Sequence, residues 1–190
     1  MRLRLNAMDR VSILLILVMT ALAIFPAATE PLLQFDRSAI RQGEWWRLLS
    51  GQLIHYGPYH TLMNVTALAV INTALWRPLT LLSWCAALLT SLLLVAAGLW
   101  YLSPDLMFYA GFSGALHGLL VAGLLASWRQ TPVINLLALL MVAVKVGYEQ
   151  TRWFNSEHAL LPVPVASEAH LWGAMAGLIY GLALLLLRRD

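Results

Sequence analysis

Charge is scarce in this sequence. Asp, Glu, Lys and Arg make up 11% of its 190 residues, against 61% hydrophobic residues. A soluble domain carries about 25% charged residues. The charge present cannot solvate an ordinary globular surface, which excludes a soluble module and marks an integral membrane protein. Cysteine is nearly absent. The single Cys85 cannot form an intrachain disulfide and is expected to pack as a small apolar residue. Internal repeats, low-complexity stretches and heptad runs are missing. The basic residues lie at the ends of apolar runs and in loops, not in a stripe interleaved with aromatics, so nucleic acid is not an expected partner.

What fills the chain is apolar sequence. Runs at roughly 11–28, 60–76, 79–102, 113–127, 133–148 and 169–187 predict an all-α bundle of six transmembrane helices, a single domain over 1–190. The first run follows Arg2, Arg4 and Arg10 and ends in Pro26-Ala27-Ala28, a loose match to a cleavage site. At about 18 residues it exceeds the roughly 7–15 of a signal-peptide core, so a retained helix is expected. With a cytoplasmic N-terminus, Arg2, Arg4, Arg10, Arg77, Arg129, Arg188 and Arg189 fall inside. Arg37, Arg41, Arg47, Arg152 and Lys145 fall outside. That bias follows the positive-inside rule and puts both termini in the cytoplasm. The outer connection 29–59 carries Trp45, Trp46, Tyr56 and Tyr59, aromatics that favour the headgroup level, and is expected to lie in the outer interface.

Helix rise converts position into depth. Ser113 precedes Arg129 by 16 residues, His170 precedes Arg188 by 18, and His60 precedes Arg77 by 17. At about 1.5 Å per residue these are depths of about 24, 27 and 26 Å from the cytoplasmic ends, in a hydrocarbon core about 30 Å thick. One serine and two histidines are thus predicted on one plane just under the outer surface, with Asn64 one turn below His60. The fourth run is short and starts inside the membrane. Its free N–H groups need a buried or watery setting and would favour an oxyanion. Gly114 and Gly118 on this helix, with Gly173, Gly177 and Gly181 on the sixth, form small-xxx-small faces that let two backbones touch. That packing would bring Ser113 to His170.

A serine hydroxyl becomes a nucleophile when a base in hydrogen-bond reach takes its proton. Ser113 as nucleophile and His170 as base are expected to act as a dyad. Glu168 falls on the wrong face of its helix, and no acidic residue is expected at that depth. A lone serine at a helix start is an ordinary N-cap, but the histidine and the flanking Gly111 and Gly114 favour chemistry. His60 and Asn64, i and i+4 on one face, could donate to a developing oxyanion. His117, one turn below Ser113, would support the dyad or pack against it. Lys145 and Glu149 are expected to form a snorkelling ion pair, and His158 a solvated loop position. No His-Glu-x-x-His helix occurs, no carboxylate is expected at that depth, and no Asp lies in an apolar run. Metal and cofactor are therefore not expected, and an aspartyl mechanism is disfavoured. A transporter would show inverted repeats, which are not visible.

Taken together, these motifs resemble the rhomboid intramembrane serine proteases over the whole six-span core. Gly111-Phe112-Ser113-Gly114 is similar to the family's Gly-x-Ser-Gly. Ala169-His170 with Gly173 and Gly177 is similar to its Ala-His-x-x-Gly-x-x-x-Gly. His60 with Asn64 and Trp46-Arg47 match its His-x-x-x-Asn and Trp-Arg. The resemblance implies Ser113 as nucleophile, His170 as general base, and His60, Asn64 and the Ser113 N–H as oxyanion hole. Where many members have Tyr four residues after the serine, this chain has His117. That departure and the small size resemble the rhombosortase subfamily of Gram-negative bacteria. The subfamily implies a multi-pass inner-membrane protein opening to the periplasm. Its substrates are exported proteins with a C-terminal transmembrane tail of GlyGly-CTERM type, and a lipid-derived amine can replace water as acceptor. A general rhomboid protease of single-pass proteins and a catalytically silent membrane-helix binder are the alternatives.

Overall fold

The computed structural model describes residues 5–76, 80–157, 161 and 163–187. Arg2, Arg4, Arg77, His158, Arg188 and Arg189, used above for topology, depth or loop assignment, lie outside the described residues.

Local chemistry sets the first helix, α1 (Ala7–Ile24). Asn6 and Asp9 form a capping box, the Asn6 side chain accepting from the Asp9 N–H at 2.8 Å and the Asp9 carboxylate from the Asn6 N–H at 3.1 Å. The helix therefore starts earlier than the expected 11–28 and ends before Pro26. Asp9 lies inside it, buried, and accepts from Asn72 at 3.3 Å, which corrects the expectation that no Asp would lie in a spanning helix. Next come α2 (Pro26–Leu33), the two-residue strand β1 (Phe35–Asp36), and the short α3 (Arg37–Arg41) and α4 (Arg47–Ser50). They precede α5 (Pro58–Ile71), which runs on as a π-helical turn, Asn72–Trp76. The remaining elements are α6 (Leu81–Leu102), β2 (Phe108–Tyr109), α7 (Ser113–Ala126), α8 (Pro132–Glu149) and α9 (Ser167–Leu187).

Among the described residues, α1, α6, α8 and α9 are long and apolar enough to cross a membrane, and α7 is a shorter apolar helix. α7 is the centre of the bundle. Ten of its 14 residues are buried, and it packs against α5, α6, α8 and α9. Its contact with α9 is backbone to backbone. A Cβ built on Gly173 would lie 1.8 Å from the Gly114 carbonyl oxygen, and one on Gly177 would lie 2.3 Å from that of Gly118. One on Gly118 would meet the Ser91 hydroxyl of α6 at 2.0 Å, and one on Gly181 the Leu125 side chain at 2.7 Å. Any side chain there would push the helices apart, because helices in lipid associate by close packing.

Two buried arginines build the connection between α1 and α5. Arg37 donates to the carbonyls of Leu99, Trp100 and Ser103 at the end of α6 and to Leu106, capping carbonyls that have no intrahelical partner. Arg47 donates to Glu44 and to the carbonyls of Pro31 and Gln34, folding the connection on itself. β1 pairs antiparallel with β2, Phe35 opposite Tyr109. The connection is thereby fastened to the segment that delivers α7.

Candidate active site

Between β2 and α7 the chain turns sharply. Gly111 has φ +134°, a conformation strained for any side chain, and a Cβ there would meet the His60 ring at 2.8 Å. Its N–H donates to the Gly51 carbonyl at 3.0 Å, and its carbonyl accepts from the Tyr109 hydroxyl. The Phe112 N–H donates to His55 Nε2 at 3.3 Å. These bonds fix the approach to Ser113, the first residue of α7, whose N–H has no preceding turn to bond to. The Ser113 side chain does not cap the helix.

Instead Ser113 Oγ lies 3.0 Å from His170 Nε2 on α9. The register is set by the glycine contact, and a Cβ on Gly114 would lie 2.8 Å from the Ala169 carbonyl oxygen. The other imidazole nitrogen, Nδ1, is 2.9 Å from Glu149 Oε2. Both side chains are under one-tenth exposed. A carboxylate accepts only, so Nδ1 carries the proton and Nε2 is free to accept from the serine. The expected two-residue arrangement therefore needs correction, because a carboxylate does stand behind the histidine. Glu149 is 21 residues from His170 in the chain and arrives on α8, the helix that the expected snorkelling pair kept facing outward.

The expected ion pair between Lys145 and Glu149 is present, Nζ donating to Oε1 at 2.7 Å, but the ammonium also faces the cleft, 3.2 Å from His117 Nε2 and 3.4 Å from His170 Nδ1. His117 Nδ1 lies 2.7 Å from the Ser113 carbonyl oxygen and donates to it, leaving Nε2 to accept from the lysine. The His117 ring stacks on His170, centroids 4.3 Å apart and planes 23° apart.

A cleft of about 900 Å³ opens over these groups. α5 forms one wall with His60, Met63 and Asn64, and α8 contributes Lys145 and Glu149 to the other. Ser113, Leu116 and His117 form the floor, with His170 beside them. Asn64 Nδ2 donates to the His60 carbonyl at 2.9 Å. The His60 Nδ1 and Asn64 Oδ1 atoms are buried with no hydrogen-bond partner among the described residues.

His55 escaped the sequence reasoning. It is buried, and its ring meets His60 edge to face at 5.0 Å. Burial, with His60 beside it, pushes its pKa down to about 3, so at neutral pH its Nε2 accepts the Phe112 N–H. It sits outside any periodic segment, and no spacing rule would have found it.

A hydroxyl, an imidazole and a carboxylate in line can deprotonate the hydroxyl and stabilise the resulting imidazolium. The Rhomboid domain family model matches residues 42–187. The Rhomboid protease GluP of Bacillus subtilis (strain 168) is 32% identical over 143 residues, covering 68% of this chain and 27% of that protein. The chain thus spans about a quarter of that relative's length. With the match running from the connection between α3 and α4 to the end of α9, the chain belongs to the rhomboid domain family.

Proposed function

We propose that this protein is an intramembrane serine endopeptidase working through Ser113, His170 and Glu149. The observation that carries the proposal is the unbroken line of hydrogen bonds from the serine through the histidine to the carboxylate, at the base of an open cleft. Ser113 Oγ attacks the scissile carbonyl while His170 Nε2 takes its proton and Glu149 steadies the imidazolium. The oxyanion is received by the Ser113 N–H, His60 and Asn64. Collapse breaks the C–N bond, His170 returns the proton to the leaving amine, and an acyl-enzyme remains. Water, or an amine acceptor, then attacks the ester and releases Ser113.

Topology follows the same proposal. α5 with its π-turn and the short α7 complete six spans, and both termini are cytoplasmic. The connection carrying the exposed Trp45 and Trp46 lies in the outer interface. The cleft opens to the periplasm of a bacterial inner membrane, and a substrate helix enters between α5 and α8. His117 in place of tyrosine supports a rhombosortase-like substrate class, the C-terminal membrane tails of GlyGly-CTERM type, with a lipid-derived amine as acceptor.

Mass spectrometry of the C-terminus of a co-expressed candidate substrate tests this directly. Cleavage near the glycines, abolished in Ser113→Ala and His170→Ala, is expected. The terminal mass distinguishes a free carboxylate from an amide. Unaltered processing by Ser113→Ala refutes the mechanism, and uncut substrate with wild-type protein favours a silent membrane-helix binder.

A further inference from the structure

Five side chains close a ring that starts and ends on Ser113. Ser113 Oγ meets His170 Nε2 at 3.0 Å, and His170 Nδ1 meets Glu149 Oε2 at 2.9 Å. Glu149 Oε1 meets Lys145 Nζ at 2.7 Å. Lys145 Nζ meets His117 Nε2 at 3.2 Å, and His117 Nδ1 meets the Ser113 carbonyl at 2.7 Å. One assignment of protons satisfies every bond of the ring, and the 3.4 Å approach of Lys145 Nζ to His170 Nδ1 then stays outside it, because that nitrogen carries the proton donated to Glu149. Lys145 donates twice, each histidine donates from Nδ1 and accepts at Nε2, and Glu149 accepts on both oxygens. We propose that Lys145 is a positioning residue, which locks Glu149 behind His170 and His117 beneath it, and so holds the nucleophile's own backbone to the same frame. The proposal rests on Ser113 and His170 acting as nucleophile and base.

The geometry favours this over an ion pair that merely supports its helix. A Glu–Lys pair stabilises a helix best with Glu on the N-terminal side, and here Lys comes first. A lysine near the membrane surface gains by extending its ammonium to water. Lys145 instead turns it toward two histidines in the cleft, although its side chain is 49% exposed. Glu149, 7% exposed, is a carboxylate whose burial is costly unless both oxygens are bonded, and Lys145 supplies the second bond. Near its C-terminal end α8 buries only Val146 and Glu149, and the Gln150 side chain donates to the Ser167 carbonyl at 3.1 Å, so the ion pair adds to a small set of contacts that hold the carboxylate at its station.

The test uses the full chain in lipid vesicles with a fluorophosphonate probe, which forms an Oγ–P bond on an activated serine with loss of fluoride and needs no substrate. Lys145→Met keeps the stem and removes the ammonium. It should slow labelling, and kcat on any cleaved substrate, by about tenfold with KM unchanged. Lys145→Arg should recover most of the rate. On a Glu149→Gln background Lys145→Met should add almost nothing, because both break one ring. Wild-type labelling by Lys145→Met, equal losses in the Met and Arg variants, or additive losses with Glu149→Gln would each overturn the proposal. Should Lys145→Met not accumulate as folded protein, His117→Phe breaks the next bond while keeping the stack on His170. It should slow labelling by a similar factor, and a normal rate overturns the proposal. Ser113→Ala in parallel separates the two levels: labelling that persists there refutes the protease itself, whereas its loss beside a normal Lys145→Met refutes only the ring.

Discussion

The pair α7–α9 and the helix α8 are held in opposite ways. α7 and α9 meet through glycine backbones with no room for a methyl group. α8 leaves Leu136, Leu137, Leu140, Met141 and Val144 exposed and buries only Asn135, Val146 and Glu149. It is stitched to the bundle near its two ends by polar contacts. At the N-terminal end Asn135 donates to the Leu124 carbonyl at 3.0 Å and to Ser127 Oγ at 3.1 Å. At the C-terminal end Lys145 and Glu149 reach His117 and His170. Packing thus fixes the serine and the histidine against each other, while the carboxylate arrives on an element held mainly by polar bonds, with Val146 its one buried apolar side chain. Damage to the first region should therefore cost the fold, and damage to the second should cost the chemistry.

The largest effect should come from Gly173→Val, whose side chain cannot fit against Gly114. Overpacking there costs about 3 kcal/mol or more and should abolish folded protein, read by size-exclusion chromatography and thermal unfolding in detergent. Glu149→Gln should lower turnover roughly 10²- to 10⁴-fold, as loss of the carboxylate does in a serine triad, and leave the unfolding midpoint within a few degrees of wild type. If instead it unfolds the protein and Gly173→Val does not, the contrast between the regions is wrong. Asn135→Ala removes buried bonds at the other end of α8 and should cost about 1–3 kcal/mol, measured in the same unfolding assay. Met141→Ala on the exposed face of α8 should stay within about 0.5 kcal/mol in that assay.

The same contrast separates what was legible in the sequence from what was not. Gly114, Gly118, Gly173, Gly177 and Gly181 announce a close helix contact because four-residue spacing puts them on one face. Depth counting on the two helices brings Ser113 and His170 to one level. Glu149 has no local signature, since its partner sits 21 residues on, across a connection. The depth rule would nonetheless have reached it. From Pro132 to Glu149 is 17 residues, about 26 Å of helix, which is the level of Ser113 and His170. Treating Lys145 and Glu149 as a surface pair stopped that count. Arg37 was legible only as an outer positive charge, because its burial depends on where α6 ends and which carbonyls it leaves open. The start of α1 was misplaced because hydrophobicity begins at residue 11 whereas the cap formed by Asn6 and Asp9 begins the helix at Ala7.

The central claim is that the base and carboxylate activate one particular hydroxyl. Peptide mapping of the fluorophosphonate adduct, with its rate in wild-type, His170→Ala and Glu149→Gln protein, measures that activation without any knowledge of substrate. The account predicts a single adduct on Ser113, absent in His170→Ala and strongly slowed in Glu149→Gln. An adduct on another residue, or one that forms on Ser113 at the same rate in all three proteins, would contradict it.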